Sequence, residues 1–188
     1  DNYAQGYFVY DSKKAGSMTI SHLRVSPNPI RSAYLIAEAD TVACHQFNFL
    51  EQVDVLKYAK HGGILLLNSP YGKDNTWDKL PRNVQEEITR KDLKVYVVDA
   101  HMVAFATGMG RRINTIMQTC FFAISGIIPK DEAIDHIKTA IRRTYTVKGH
   151  HVVDMNTDAV DQALDHLHLM EQPGHLSREE LPPMVPDH

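Results

Sequence analysis

The sequence predicts an α/β layer fold with a mainly parallel sheet. Three observations carry that prediction. Two uninterrupted apolar runs, "GILLLNS" (63–69) and "LKVYVVDA" (93–100), have the composition of parallel strands covered on both faces. Segments of helical periodicity lie between and after them, so strands and helices alternate along the chain. The 188 residues are 43% hydrophobic and 23% charged. A chain of that size and composition buries about 70% of its unfolded surface without disulfide or metal staples.

The elements follow in order. "YFVY" (7–10) is an aromatic and β-branched run that reads as a strand, closed by the turn-like "DSKKAGS". "MTISHLRV" (18–25) alternates as a second strand and stops at "SPNP", where Pro27 and Pro29 forbid helix. "SAYLIAEAD" (32–40) has helical composition and runs into "TVACH" (41–45), a core strand. Leu50, Val53, Leu56 and Tyr58 predict a helix over 48–60, with Asn48 as its N-cap and "HGG" as its stop. Polar, solvent-facing helices are expected over 71–92, after the first apolar strand. Helical "AHMVAFAT" (100–107) follows the second. Next come a glycine turn and an apolar helix to about Ser125, stopped by Gly126 and Pro129. Ile134, Ile137, Ile141 and Tyr145 mark an amphipathic helix over 130–145; Val153, Val160, Leu164 and Leu167 mark another over 151–169. From Met170 the text becomes "MEQPGHLSREELPPMVPDH", with four of the nine prolines, and reads as a linker or arm. The expected division is a domain over 1–169 and an arm over 170–188.

Bulk properties exclude several function classes. A net charge of −3 supplies no global field for nucleic acid or an acidic membrane, so any anion site must be local. Single Trp77 and the acidic balance argue against a base-stacking surface. Cys44 and Cys120 cannot build a disulfide framework, and two thiols are too few to hold an iron–sulfur cluster. Both sit in apolar runs, as buried free thiols of a reducing, cytoplasmic compartment would. No run reaches the ~20 apolar residues of a membrane span. The chain opens at Asp1, without a methionine and without the strand, glycine-rich loop and helix that usually begin such a sheet. It therefore reads as the middle of something longer.

The densest chemistry lies in "ATGMGRRINTIMQ" (106–118). It lacks the third glycine of a dinucleotide fingerprint, since Ile113 stands there, and no Gly-Lys-Ser/Thr follows. A glycine turn opens a helix whose first turn carries Arg111, Arg112 and Asn114. Helix amides, the helix dipole and two guanidiniums favour a phosphate at such a place. A plain turn with solvent-facing arginines fits the same letters, and the residues alone leave both readings standing. "YDSKKAGS" (10–17) offers a hydroxyl, two ammoniums and a glycine after a strand, or else a solvated basic turn. In "SHLR" (21–24), His22 and Arg24 share one face and suit a polar partner surface. Cys44 and His45 are adjacent on a strand, point to opposite faces and cannot act as nucleophile and base together. The eleven histidines have no metal-site spacing.

Several longer strings resemble one family. "NYAQGYFVYDSKKAGSMTISHLRVSPNPIRSAYLI", "VACHQFNFLE", "LLNSPY", "GMGRRINTIMQTCFFAISGIIP" and "VVDMNTDAVDQAL" are similar to the gamma-type domain of pyruvate:ferredoxin/flavodoxin (2-oxoacid:acceptor) oxidoreductases. The resemblance runs from residue 1 to about 168. It implies a Rossmann-like mainly parallel sheet flanked by helices, here lacking its first strand, glycine-rich loop and helix, with a proline-rich C-terminal arm. It implies an enzyme that converts pyruvate and coenzyme A to acetyl-CoA and CO2, reducing ferredoxin or flavodoxin. Thiamine diphosphate and iron–sulfur clusters would lie in other domains of a full-length homodimer, and the isolated chain would be inactive. This domain would help bind coenzyme A through the "DSKK" lysine and asparagines matching "RIN" and "MN". Those are Lys14, Asn114 and Asn156, with Lys13 as the alternative lysine and Arg112 as the better-matched arginine. A docking module between cofactor domains, with little ligand binding of its own, is the competing expectation.

Overall fold

The alternating runs at the start of the chain pair with each other rather than with the apolar strands. The computed structural model describes residues 2–10, 18–32 and 36–176, in two units, 1–38 and 39–188. In the first, β1 (Tyr3–Tyr10) and β2 (Thr19–Ser26) form an antiparallel ladder from Tyr3↔Ser26 to Tyr10↔Thr19. β1 begins earlier than the aromatic run suggested. Successive side chains of β2 alternate as expected, with His22 buried and Leu23 exposed.

The second unit is a four-stranded sheet. β3 (Ala39–Cys44), β4 (Ala59–Asn68) and β5 (Lys94–Val98) run parallel, and β6 (His168–Leu169) joins antiparallel beside β5, in the order β3-β4-β5-β6. The apolar runs are buried on both faces because each face has its own helical layer. Leu65, Leu67, Val95 and Val97 meet Trp77 and Leu80 at the end of α2 (Gly72–Lys79) and Val84 and Ile88 of α3 (Arg82–Arg90). Leu66 and Val98 face α4 (Ala100–Ala106), α5 (Asn114–Ser125) and α7 (His150–Asp165), through Val103, Ile116, Met117 and Ala159. Leu65, Leu66 and Leu67 are 0% exposed, so each contributes roughly 1.5–3 kcal/mol of burial. α6 (Lys130–Tyr145) forms an outer layer, setting Ile137 and Ile141 against Val160.

Several expectations need correction. The helix placed over 48–60 is one turn, α1 (Phe49–Gln52). β-branched Val53 and Val55 disfavour helix, and the chain must reach Ala59 in time to pair with Ala39. The rest is turns, held by Lys91 Nζ donating to the Leu56 carbonyl at 2.7 Å; Leu50 and Leu56 are still buried. Asn48 sits at the cap position but its side chain makes no cap bond. The helix expected over 32–40 is absent from its described part: Ile36 to Glu38 are non-helical and Ala39–Asp40 open β3. The helices of 71–92 are not wholly solvent-facing, since Trp77, Val84, Gln85 and Ile88 are buried. The last helix ends at Asp165. β6 and Met170, the first residue of the expected arm, return to the sheet: Met170 is 2% exposed and its N–H donates to the Val95 carbonyl at 2.8 Å.

The pairing of β3 with β4 slips between Ala39↔Ala59 and Thr41↔Ile64. Gly63 makes this possible. A Cβ there would lie 2.8 Å from the Lys60 carbonyl oxygen and 3.0 Å from that of Asp40, both backbone atoms. Gly63→Ala should therefore cost about 1–3 kcal/mol in denaturant unfolding. Gly174→Ala, whose added Cβ meets nothing within 4 Å, should stay within about 0.5 kcal/mol of the parent.

Candidate functional site

In open parallel sheets, ligands collect outside the carboxyl ends of the strands, where successive loops diverge. Here those loops are tied together by buried polar side chains. Asn68 ends β4, is 4% exposed, and bridges both neighbours. Its Nδ2 donates to the His45 carbonyl after β3 at 2.9 Å, and its Oδ1 accepts from the Ala100 N–H after β5 at 2.9 Å. The Ser69 N–H donates to the Val98 carbonyl at 2.9 Å, and its hydroxyl is 2.7 Å from that of Thr76. Outside them, the rings of Phe47 and Tyr71 meet edge to face at 5.3 Å. Asp99 starts α4 by accepting from the Met102 N–H at 2.9 Å. Sequence reasoning missed Asn68 and Ser69. The available signal was a polar pair ending an apolar run, in "ILLLNSP".

α4 leads into the glycine turn. Gly108 and Gly110 have φ of 77° and 64°, a region open to glycine at little cost. Between them Met109 is buried, and its N–H donates to the Ala104 carbonyl at 2.8 Å. α7 closes over this turn: a Cβ on Gly108 would stand 3.4 Å from Met155 Sδ. Arg111 and Arg112 are exposed, and Arg112 Nε donates to the Met109 carbonyl at 3.1 Å, engaging one of the five guanidinium N–H donors.

α5 then begins at Asn114 with no side-chain cap and no acidic residue in its first turn, so no side chain of the cap satisfies its leading amides. Its direction follows from its other end. Ser125 lines a cleft of about 310 Å³ with Asp40, Thr41, Gly63 and Ile64, at the amino side of β3 and β4. Because α5 also packs on both strands, it runs back against them and its N-terminus points to the carboxyl edge. That cleft is thus at the opposite edge from the loops described above.

A family model described as pyruvate ferredoxin/flavodoxin oxidoreductase matches residues 1–166. The chain belongs to that family. It is 60% identical over 97% of its length to a pyruvate-flavodoxin oxidoreductase of Rhodospirillum rubrum, and 49% identical over 93% to a pyruvate:ferredoxin oxidoreductase of Moorella thermoacetica. It spans 15% of the length of each of these relatives. Among solved structures, subunit PORC of the Thermotoga maritima pyruvate oxidoreductase matches with a TM-score of 0.66 at 20% identity, covering 90% of this chain and 83% of that one. At that identity the match speaks for the fold alone.

The residues that the oxidoreductase resemblance singled out fall in different places. Asn114 is exposed at the start of α5, beside Arg112. Asn156 follows Met155 on α7, near the same turn, but is 1% exposed, and its Nδ2 donates to the Val152 carbonyl at 2.8 Å. Lys13 and Lys14 lie outside the described residues. Among the described residues, no three His, Cys, Asp or Glu side chains gather as metal ligands, and no helix is long and apolar enough to cross a membrane.

Neither cysteine offers a nucleophile. Burial pushes the Cys44 thiol up to about 11 and the Cys120 thiol up to about 12. Desolvation also lowers the His45 imidazole below its ordinary 6.5, which keeps it neutral at pH 7. The native thiols should resist iodoacetamide at pH 8 and label fully after denaturation, as read by mass spectrometry. Raised thiol pKa values stabilise the fold fully below their ordinary 9.0. Stability from these groups should thus fall as pH rises from 9.0 through about 11 and 12.

Proposed function

We propose that this chain is the coenzyme A-binding part of an enzyme that oxidatively decarboxylates pyruvate. The whole enzyme would release CO2, transfer the acetyl group to coenzyme A and pass the electron pair to a flavodoxin or ferredoxin. Thiamine diphosphate and iron–sulfur clusters would act in other domains of a homodimer. The two buried unpaired thiols suit the reducing cytoplasm in which such an enzyme would work. The isolated chain would be inactive.

One observation carries the ligand reading: the uncapped N-terminus of α5, with exposed Arg111 and Arg112 before it and Asn114 in its first turn. Uncapped helix amides and exposed guanidiniums suit the phosphorylated tail of coenzyme A. The family resemblance assigns Lys14, or its neighbour Lys13, to the same ligand. The resemblance assigns Asn156 to the same ligand, and its Nδ2 bond to the Val152 carbonyl fixes that side chain on α7. The chain would bring the acceptor thiol close to an acetyl group held elsewhere, a proximity role that needs no acid or base of its own.

A second reading has its own support. Met102 is 40% exposed and Phe105 85% exposed on α4, and Val147 is 91% exposed. Apolar groups so placed would suit a module whose main task is to pack cofactor domains together.

Isothermal calorimetry on the full-length oxidoreductase separates the two. The ligand reading expects coenzyme A affinity to fall at least tenfold in the Lys14→Ala, Asn114→Ala double variant, with an unchanged melting temperature. Unchanged affinity in a correctly assembled enzyme would leave the docking role.

A further inference from the structure

The exits of all three parallel strands are joined by one carboxamide. Asn68 ends the middle strand, donates a hydrogen bond to the His45 carbonyl on one side and accepts one from the Ala100 N–H on the other, both at 2.9 Å. Only a side chain with a donor and an acceptor on one planar head does both. Aspartate would turn a lone pair toward the His45 carbonyl, and leucine would leave two buried polar groups unpaired. Ala100 is the first residue of α4, and α4 is short: seven residues, or about 10 Å. The turn after α4 is pinned to it by the Met109 N–H on the Ala104 carbonyl. Where α4 starts therefore sets where Arg112 and Asn114 stand.

We infer that Asn68 is the positioning residue of the acceptor-thiol site, fixing the α4–turn–α5 segment relative to the loop after β3. This rests on the coenzyme A reading above. Asn68 sits at the base of the loops, and in this role touches no reacting atom. Its influence is selective: it acts on the acceptor, not on pyruvate or on the steps before the acceptor enters.

The test uses the full-length oxidoreductase carrying Asn68→Asp. KM for coenzyme A should rise about tenfold or more. KM for pyruvate, and the CO2 released from pyruvate in a single turnover without coenzyme A, should stay within about twofold. Asn68→Ser leaves room for a water to bridge the same two groups, and should give an intermediate KM in a more readily assembled protein. A lower melting temperature with an unchanged coenzyme A KM would mean that Asn68 only stabilises the fold, and the inference fails. It fails equally if neither variant assembles. The Lys14→Ala, Asn114→Ala enzyme separates the two levels. Lost coenzyme A affinity there, with an unaltered KM in Asn68→Asp, overturns the role of Asn68 and leaves the site in place. Unaltered affinity there overturns the site reading and the inference together.

Discussion

A parallel strand covered on both faces cannot place polar side chains along its length, and β4 obeys this through Leu65, Leu66 and Leu67. The constraint ends abruptly at Asn68 and Ser69, which are 4% and 0% exposed but polar. Burying an amide or a hydroxyl is tolerable only when hydrogen bonds replace water. The partners at that depth are the His45 carbonyl, the Ala100 N–H and the Thr76 hydroxyl, which tie the loop after β3, α2 and the start of α4 to the end of β4. The Ala100 N–H is bonded by Asn68, Asp99 caps the next turn of α4, and Met109 anchors the far end.

This arrangement divides the labour between the two edges of the sheet. At the amino side, β3 and β4 slip in register around Gly63, and the backbone approaches too closely for any side chain there. At the carboxyl side, the loops are held by directed bonds between single atoms, and surface groups such as Arg112 and Asn114 stand on a rigid base. A rigid base matters for binding because a group already in place loses little freedom when its ligand arrives. The cleft beside Ser125 lies at the first edge.

Much of this was legible in the sequence, and the failures have physical causes. The two apolar strands, the α5 and α6 helices and the Gly126 stop follow from composition and periodicity, which are local. The short α1 does not. Leu50 and Leu56 are buried as helix spacing suggests, but they reach the core through a turn and a loop, because pairing of Ala59 with Ala39 overrides the local pattern. Asn68 could be seen as a polar residue after an apolar run. Its partners are 23 and 32 residues away, and spacing within a segment carries no trace of them. Family resemblance points to Asn156, yet its burial follows only from the packing of α7 on the rest of the fold.

α4 explains why the ligand and docking readings do not compete for the same atoms. One face of this helix, Ala100, Val103 and Ala104, belongs to the core, and the other leaves Met102 and Phe105 exposed. The cationic groups lie beyond its C-terminal end, in the turn and at the start of α5. An anion at the turn would meet guanidiniums and amides, and a partner surface along α4 would meet a thioether and a ring. These chemistries are orthogonal: salt weakens the first by screening and leaves the second largely intact. Both depend on the same anchor, because a displaced α4 would carry Phe105 and Arg112 with it. The hydrogen bond from Ala100 to Asn68 ties the start of α4 to the end of β4.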